Sequence, residues 1–346
     1  LILLIFLLEG NAQKTIQYQQ LNLNLATLNL DVDNYDLETK NMVELLKNIN
    51  SEGNPQMYYN WNKKLSEFYK KKLRVTPKNK RYEIWFKYVN QLLLAGENQL
   101  CIREIEHQIK NSKSTYETLI LVSLPLMETL GLAYLRLGEQ VNCENNHNEF
   151  SCILPLDHGG YHKLKKGSKK AVEIFTKIYS IHPKQKYKWL LNLAHMTLGE
   201  YPEKVHEEYF IDYYQNSENQ NVEPFREIAS HLGIDVNGLS GGVSLDDFNN
   251  DGLIDIFATS YGMQDQSRLF INTGEGFKDF TAEAGLNGIL GGLNCIHADY
   301  NNDGYVDIFI LRGAWYGSNG KHPNSLLRNN GDGTFSDVTE SSGLLS

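Results

Sequence analysis

An excess of positive charge is the first thing this chain lacks. Its 346 residues carry 33 Lys and Arg against 42 Asp and Glu, a net charge of −9. Binding a phosphate backbone takes a basic face, so the balance argues against nucleic acid as the main partner. Long apolar runs are also missing. Beyond the first eight residues nothing approaches the roughly 20 that a membrane-spanning helix needs, and an integral membrane protein is not expected. Only four Cys are present, without a CxxC pair. No segment spells a phosphate-binding loop, a Ser/His/Asp set or a paired general acid and base, so no catalytic residue is assigned.

What the chain does have is unevenly distributed. Hydrophobic residues make up 41%, with 20 Tyr and 14 Phe, which excludes a disordered tail or a collagen-like chain. The length admits two or three domains. From Ser240 onward there are 14 acidic and 5 basic residues, whereas the remainder holds 28 of each, so the whole acidic excess sits in the last third.

Leu1 to Leu8 are all apolar and are followed by Glu9, Gly10, Asn11 and Ala12. Residues 1–12 read as the remnant of a signal peptide with small residues before the cleavage point; a membrane anchor is the alternative, but eight residues are too few. The expected location is secreted, periplasmic or at the cell surface, where disulfides are permitted. Residues 13–39, rich in Gln, Asn and Leu, read as a leader segment.

From Lys40 the apolar residues fall three and four apart. Arg81 to Leu94 and Asn98 to Ile109, separated by Ala95, Gly96 and Glu97, predict a helical hairpin. Leu126 to Leu137 before Gly138, and Lys188 to Leu198 before Gly199, predict two more helices closed by glycine. Three stretches resemble tetratricopeptide repeats: Leu130, Gly131, Ala133, Tyr134, Leu137 and Gly138; Ala171, Phe175, Tyr179 and Pro183; Trp189, Leu193 and Ala194. The small residues let helices approach and the aromatics fill between them, so these are packing positions. Residues 40–214 are expected to form this helical domain, and 215–238 a linker.

An insertion at 140–167 interrupts the helices with Cys143, His147, Cys152, His158, Gly159, Gly160 and His162. A Cys143–Cys152 disulfide stapling a surface loop is the plainer reading in an exported protein. Zinc or copper held through His147, His158 and His162 is the alternative, although the spacing is loose and the two glycines break any helix that would align His158 with His162. Cys101 and Cys295 read as small core residues.

After Pro224 the helical period gives way to short β-rich runs and Gly/Asn turns. Asp247, Asn249, Asp251, Gly252 and Asp255 spell DxNxDGxxD, and Asp299, Asn301, Asp303, Gly304 and Asp307 spell it again 52 residues later. Leu269, Asn272, Gly274, Gly276, Phe277, Asp279 and Thr281 also recur, as Leu326, Asn329, Gly331, Gly333, Phe335, Asp337 and Thr339. Oxygens at positions 1, 3 and 5 converge, Gly at 6 allows the turn, the carbonyl at 7 adds a donor and Asp at 9 closes the cage. Such a set suits Ca²⁺, which takes six to eight oxygens. Position 12 is Ala258 or Ile310 rather than Glu, so the loop is not an EF-hand. An acidic turn held only by its own hydrogen bonds is the alternative. Each unit reads as four strands, the pattern of a β-propeller blade.

Here the sequence resembles a known family. Gly241-Gly242-Val243, Asp255-Ile256-Phe257, the run Gly291 to Asp303, Arg312-Gly313-Ala314-Trp315 and Pro323 to Phe335 resemble the FG-GAP or VCBS repeats of the cartilage acidic protein family. Some exported members carry ASPIC/UnbV domains, with tetratricopeptide repeats in front. The resemblance implies an α + β multidomain chain: a tetratricopeptide-like solenoid followed, over 239–346, by the first two blades of an integrin-type propeller. It implies Ca²⁺ ligands Asp247, Asn249, Asp251, Asp255 and the Leu253 carbonyl, then Asp299, Asn301, Asp303, Asp307 and the Tyr305 carbonyl. Asn at the third position lowers the ligand charge. Closed propellers have four to eight blades, so two repeats mark the chain as a fragment.

The function expected is an exported, calcium-binding interaction scaffold for a protein or glycan partner. The alternative is a metal-dependent enzyme using the Cys/His insertion or a module outside this sequence. Arg312, Trp315, Tyr316, His322 and Arg328 form a candidate binding cluster, with packing between blades as the competing reading.

Overall fold

The first described helix, α1 (Leu37–Glu52), starts where Asp36 accepts a hydrogen bond from the Thr39 N–H at 2.9 Å, a side-chain cap on an otherwise orphaned donor. The computed structural model describes residues 32–213 and 228–345, apart from 147, 149, 152, 153, 157 and 237. The expected signal-peptide remnant and most of the leader lie outside the described residues, as does the linker apart from 228–236 and 238. The chain divides into two units: Trp61–Ile228, and the residues up to Asn60 together with those from Ala229 onward.

The first unit is helical: α2 (Asn62–Val75), α3 (Arg81–Leu94), α4 (Asn98–Ser112), α5 (Tyr116–Val122), α6 (Leu124–Asn146), α7 (Lys166–Ile181) and α8 (Gln185–Leu198). Leu92, Ile105, Ile120, Met127, Leu130, Ile174 and Phe175 are sequestered in one core, each burial contributing roughly 1.5–3 kcal/mol. The turn between α3 and α4 takes Gly96 to φ 74° and α8 ends on Gly199 at φ 67°. Gly138, expected to close a helix, does not: α6 runs through it to Asn146. A Cβ on Gly167, at the start of α7, would lie 2.7 Å from the Gly138 nitrogen, so the two glycines mark where α6 and α7 cross. Trp189, expected to fill between helices, is 43% exposed. Among the described residues no helix is long and apolar enough to cross a membrane.

The second unit holds the short helix α9 (Ala229–Leu232) and two four-stranded antiparallel sheets. One is β1 (Ser240–Asp246), β2 (Asp255–Ser260), β3 (Arg268–Asn272) and β4 (Phe277–Asp279), in that order. The other is β5 (Asn294–Ala298), β6 (Asp307–Leu311), β7 (Ser325–Asn329) and β8 (Phe335–Asp337). The register is shared: Phe257 faces Leu269 across β2 and β3, and Phe309 faces Leu326 across β6 and β7. Where the sheets meet, the Sγ of Cys295 on β5 lies 3.4 Å from the Ser244 hydroxyl on β1.

Helix α1 belongs with these sheets. Met42, Val43 and Leu46 share a core with Phe257, Ile308, Leu327 and Phe335, and the Asp337 N–H donates to Thr39 Oγ1 at 2.8 Å. An edge strand exposes unpaired backbone groups, and α1 covers that of β8. The sequence reading placed residues from Lys40 in the helical domain; the structure groups 32–60 with the sheets instead, because the apolar face of α1 is buried there.

Candidate metal loops

The two acidic loops join β1 to β2 and β5 to β6, the same place in each sheet. Both carboxylate oxygens of Asp247 accept backbone N–H groups, from Asp251 at 3.0 Å and Gly252 at 2.7 Å. Asp299 does the same with Asp303 at 3.0 Å and Gly304 at 2.9 Å. Asn249 Oδ1 accepts from the Asp251 N–H at 3.0 Å while its amide donates to Asp251 Oδ2 at 2.9 Å; Asn301 and Asp303 repeat this at 3.0 and 2.7 Å. Asp251 and Asp303 in turn accept from the Leu253 and Tyr305 N–H groups at 2.8 and 2.9 Å. The turn requires left-handed backbone at Asn250 and Asn302, both at φ 59°, and at Gly252 and Gly304, at φ 87° and 89°.

The ninth residue behaves differently from the rest. Asp255 and Asp307 are buried at the start of β2 and β6. Asp255 accepts the Phe248 N–H at 3.0 Å and the Asn272 N–H at 2.8 Å, tying the loop to β3. Asp307 accepts the Tyr300 N–H at 3.1 Å and the Asn329 N–H at 2.8 Å. Burial pushes both carboxyls above the usual carboxylate range, and the carboxylates of Asp251 and Asp247, or Asp303 and Asp299, push the same way. A cation among them would relieve that repulsion, and each hydrogen-bonded oxygen keeps a second lone pair. The donor set is therefore of the hard, oxygen-only kind that Ca²⁺ takes. Among the described residues, however, no group of three or more His, Cys, Asp or Glu side chains is gathered as a metal cage.

Outside the loops the expectations divide. Cys152 and His147 lie outside the described residues, so the Cys143–Cys152 bridge does too; Cys143 is exposed near the end of α6. His158 lies in the single turn His158–Gly160. His162 is buried, with Nδ1 2.9 Å from the Ser168 hydroxyl and its backbone N–H donating to the Thr197 carbonyl at 2.8 Å. Burial drives its pKa down to about 4. Cys101 and Cys295 are buried, as expected, and burial pushes the Cys101 thiol up to about 12.

Of the candidate binding cluster, Trp315, Tyr316 and His322 come together, with ring centroids 5.3 Å apart for Trp315 and Tyr316 and 5.8 Å for Tyr316 and His322. Arg312 is not a surface group. Its guanidinium donates to the Leu290 carbonyl at 2.6 Å, the Pro323 carbonyl at 3.1 Å and the Ser325 hydroxyl at 2.7 Å, and burial lowers its pKa to about 10. Arg328 is exposed on β7 and reaches Asn330 at 3.3 Å. Sequence reasoning missed Tyr58, Tyr59, Asn60 and Tyr261, which join the same rings. The available signal was the run Tyr58-Tyr59-Asn60 just after α1.

Residues 247–310 and 299–345 match the FG-GAP-like repeat. The match takes in both acidic loops and the strands from β2 to β8. No curated protein matches the chain.

Proposed function

We propose that residues 239–345 are two blades of a propeller-type interaction module and that each acidic loop holds one Ca²⁺ as a structural ion. The observation that carries this reading is the repetition of one hydrogen-bond network, from Asp247 to Asp255 and from Asp299 to Asp307, at the same place in two sheets. The FG-GAP-like match supports an interaction role over catalysis. In this reading Asp247, Asn249, Asp251, Asp255 and the Leu253 carbonyl hold one ion, and Asp299, Asn301, Asp303, Asp307 and the Tyr305 carbonyl the other. A fully ligated ion inside a turn has no open position for a reacting water, so it stiffens the blade and performs no chemistry.

The helical unit would be a tetratricopeptide-like solenoid, the Cys143–Cys152 bridge would staple its loop, and the protein would act outside the cytoplasm on a protein or glycan partner. Peptide mapping without reductant tests the bridge. The calcium reading is tested by melting the full chain in ~2 mM Ca²⁺ and in chelator. A loop Kd of ~0.1 mM corresponds to ~1.8 kcal/mol per site and a rise of several degrees. A curve indifferent to chelator overturns the reading.

A further inference from the structure

One end of the helical unit carries a charge that its fold does not explain. The twelve residues from Lys70 to Arg81 hold five Lys, two Arg and no carboxylate, and all seven cations are exposed. The nearest acidic residues in the chain, Glu67 and Glu83, are set against Lys64 and Lys87. Among the described residues no carboxylate pairs with any of the seven. The last turn of α2 gains from Lys72 and Arg74 through its dipole. Lys70 and Arg74, however, are like charges one turn apart, which weakens a helix. Lys80 and Arg81 open α3, at the end where the dipole repels a cation, and Lys80 supplies no side-chain cap.

The same end exposes aliphatic groups. Val75 is 83% exposed, Val122 74% and Leu121 68%, the three most exposed large apolar side chains described in the helical unit. The Arg81 guanidinium donates to the Thr76 carbonyl at 2.9 Å, next to Val75, and the Tyr82 hydroxyl meets the Ser123 hydroxyl at 2.7 Å, next to Val122. Tyr82 and Val122 also line one recess of about 260 Å³. Cations without a carboxylate thus stand beside aliphatic side chains without cover.

A nucleic acid would answer the cations but leave Val75, Leu121 and Val122 in water. The recess is smaller than the ~300–1,000 Å³ of a small-molecule pocket. Protein interfaces are depleted in Lys, which supplies five of the seven cations. The projecting side chains also come from separate helix ends, which offer a partner chain neither a long groove nor a strand edge. An anionic lipid surface answers both features, because phosphates meet Lys and Arg while aliphatic tips enter the boundary beneath the headgroups.

We propose that this end of the helical unit docks onto an anionic phospholipid surface, with Lys78, Lys80 and Arg81 at the headgroups and Val75, Leu121 and Val122 at the acyl boundary. The net charge of −9 opposes approach of the whole chain, but at ~0.1 M salt charges more than ~10 Å from the surface are screened while those in contact are not. The test sediments the full chain with vesicles of phosphatidylcholine alone and with ~30% phosphatidylglycerol, in ~0.1 M salt and chelator, so that the outcome is independent of the calcium loops. Binding to the anionic vesicles is expected to be at least tenfold tighter, and ~0.5 M salt should remove most of the difference. Lys78→Glu combined with Lys80→Glu should weaken vesicle binding tenfold or more. Leu121→Ser combined with Val122→Ser should weaken it several-fold while leaving binding to polyglutamate or a DNA duplex unchanged. Melting curves check that both variants fold, and the glutamate pair, set in the turn Lys78–Lys80, tests the docking even if the serine pair disturbs α5. Equal binding to neutral and anionic vesicles, or a preference untouched by the glutamate pair, overturns the proposal. A folded serine variant that binds vesicles as tightly as the native chain also overturns it, since charge alone would then account for binding to any polyanion.

Discussion

The helical unit and the sheet unit treat their acidic side chains in opposite ways. Around the helices, carboxylates stay at the surface in pairs such as Lys170 with Glu173 and Lys177 with Glu117, over a core of aliphatic and aromatic groups. Among the strands, Asp255 and Asp307 go inside and accept backbone N–H groups from two directions. The reason lies in backbone accounting. A helix satisfies its own interior N–H and C=O groups, whereas short strands joined by tight turns leave donors that only a side chain can reach. The acidic excess of the last third is thus partly structural cement.

The sharpest way to break this contrast is to hollow out the helical core. Phe175→Ala, at a fully buried position, should cost about 3–5 kcal/mol and lower the melting of the helical unit, while the calcium response of the sheets persists. Loss of both together would mean that the units do not fold separately. Asp307→Ala should cost the sheet unit about 3 kcal/mol even in chelator, because it strands the Tyr300 and Asn329 N–H groups. Hydrogen exchange at those two amides reads the effect directly, and unchanged protection would refute the role given to Asp307.

Acid should weaken both units through buried histidines: His162 and, beside it in the helical unit, His195, and His322 among the strands. His162 and His322 have folded pKa values near 4, below the ordinary value of 6.5, so the unfolded chain takes up protons first as the pH falls. The stability from each is complete above pH 6.5 and is lost progressively down to about pH 4, on the order of 2 kcal/mol each. His162→Gln should shallow that profile for the helical unit only, leaving the part that His195 contributes, measured by circular dichroism at several pH values. Asp251→Ala and Asp303→Ala should each remove one increment of ~1.8 kcal/mol in calcium and change little in chelator. At the small end, Lys87→Ala breaks an exposed pair with Glu83 and should leave the melting temperature unchanged.

Much of the sheet unit was legible because it is written twice. A spacing of DxNxDGxxD that recurs with its downstream Leu, Asn, Gly, Phe, Asp and Thr predicted four strands in each unit, and each unit forms one four-stranded sheet. Helices α3 and α4 and the glycine turn between them were equally plain. Gly138 misled because glycine has two uses, to end a helix or to let another cross it, and only the presence of Gly167 distinguishes them.

The sequence alone determined the local elements and the identity of the loop oxygens, since both follow from residue types at fixed separations of a few positions. Tertiary structure decided the rest. A 3.6-residue period says that α1 has an apolar face but not that β8 receives it. Spacing shows that Arg312 is near Trp315 in the chain but not that one turns inward while the other joins Tyr59 and Tyr261. Partners separated by two hundred residues are chosen by burial and by unsatisfied hydrogen-bonding groups, which no local pattern records.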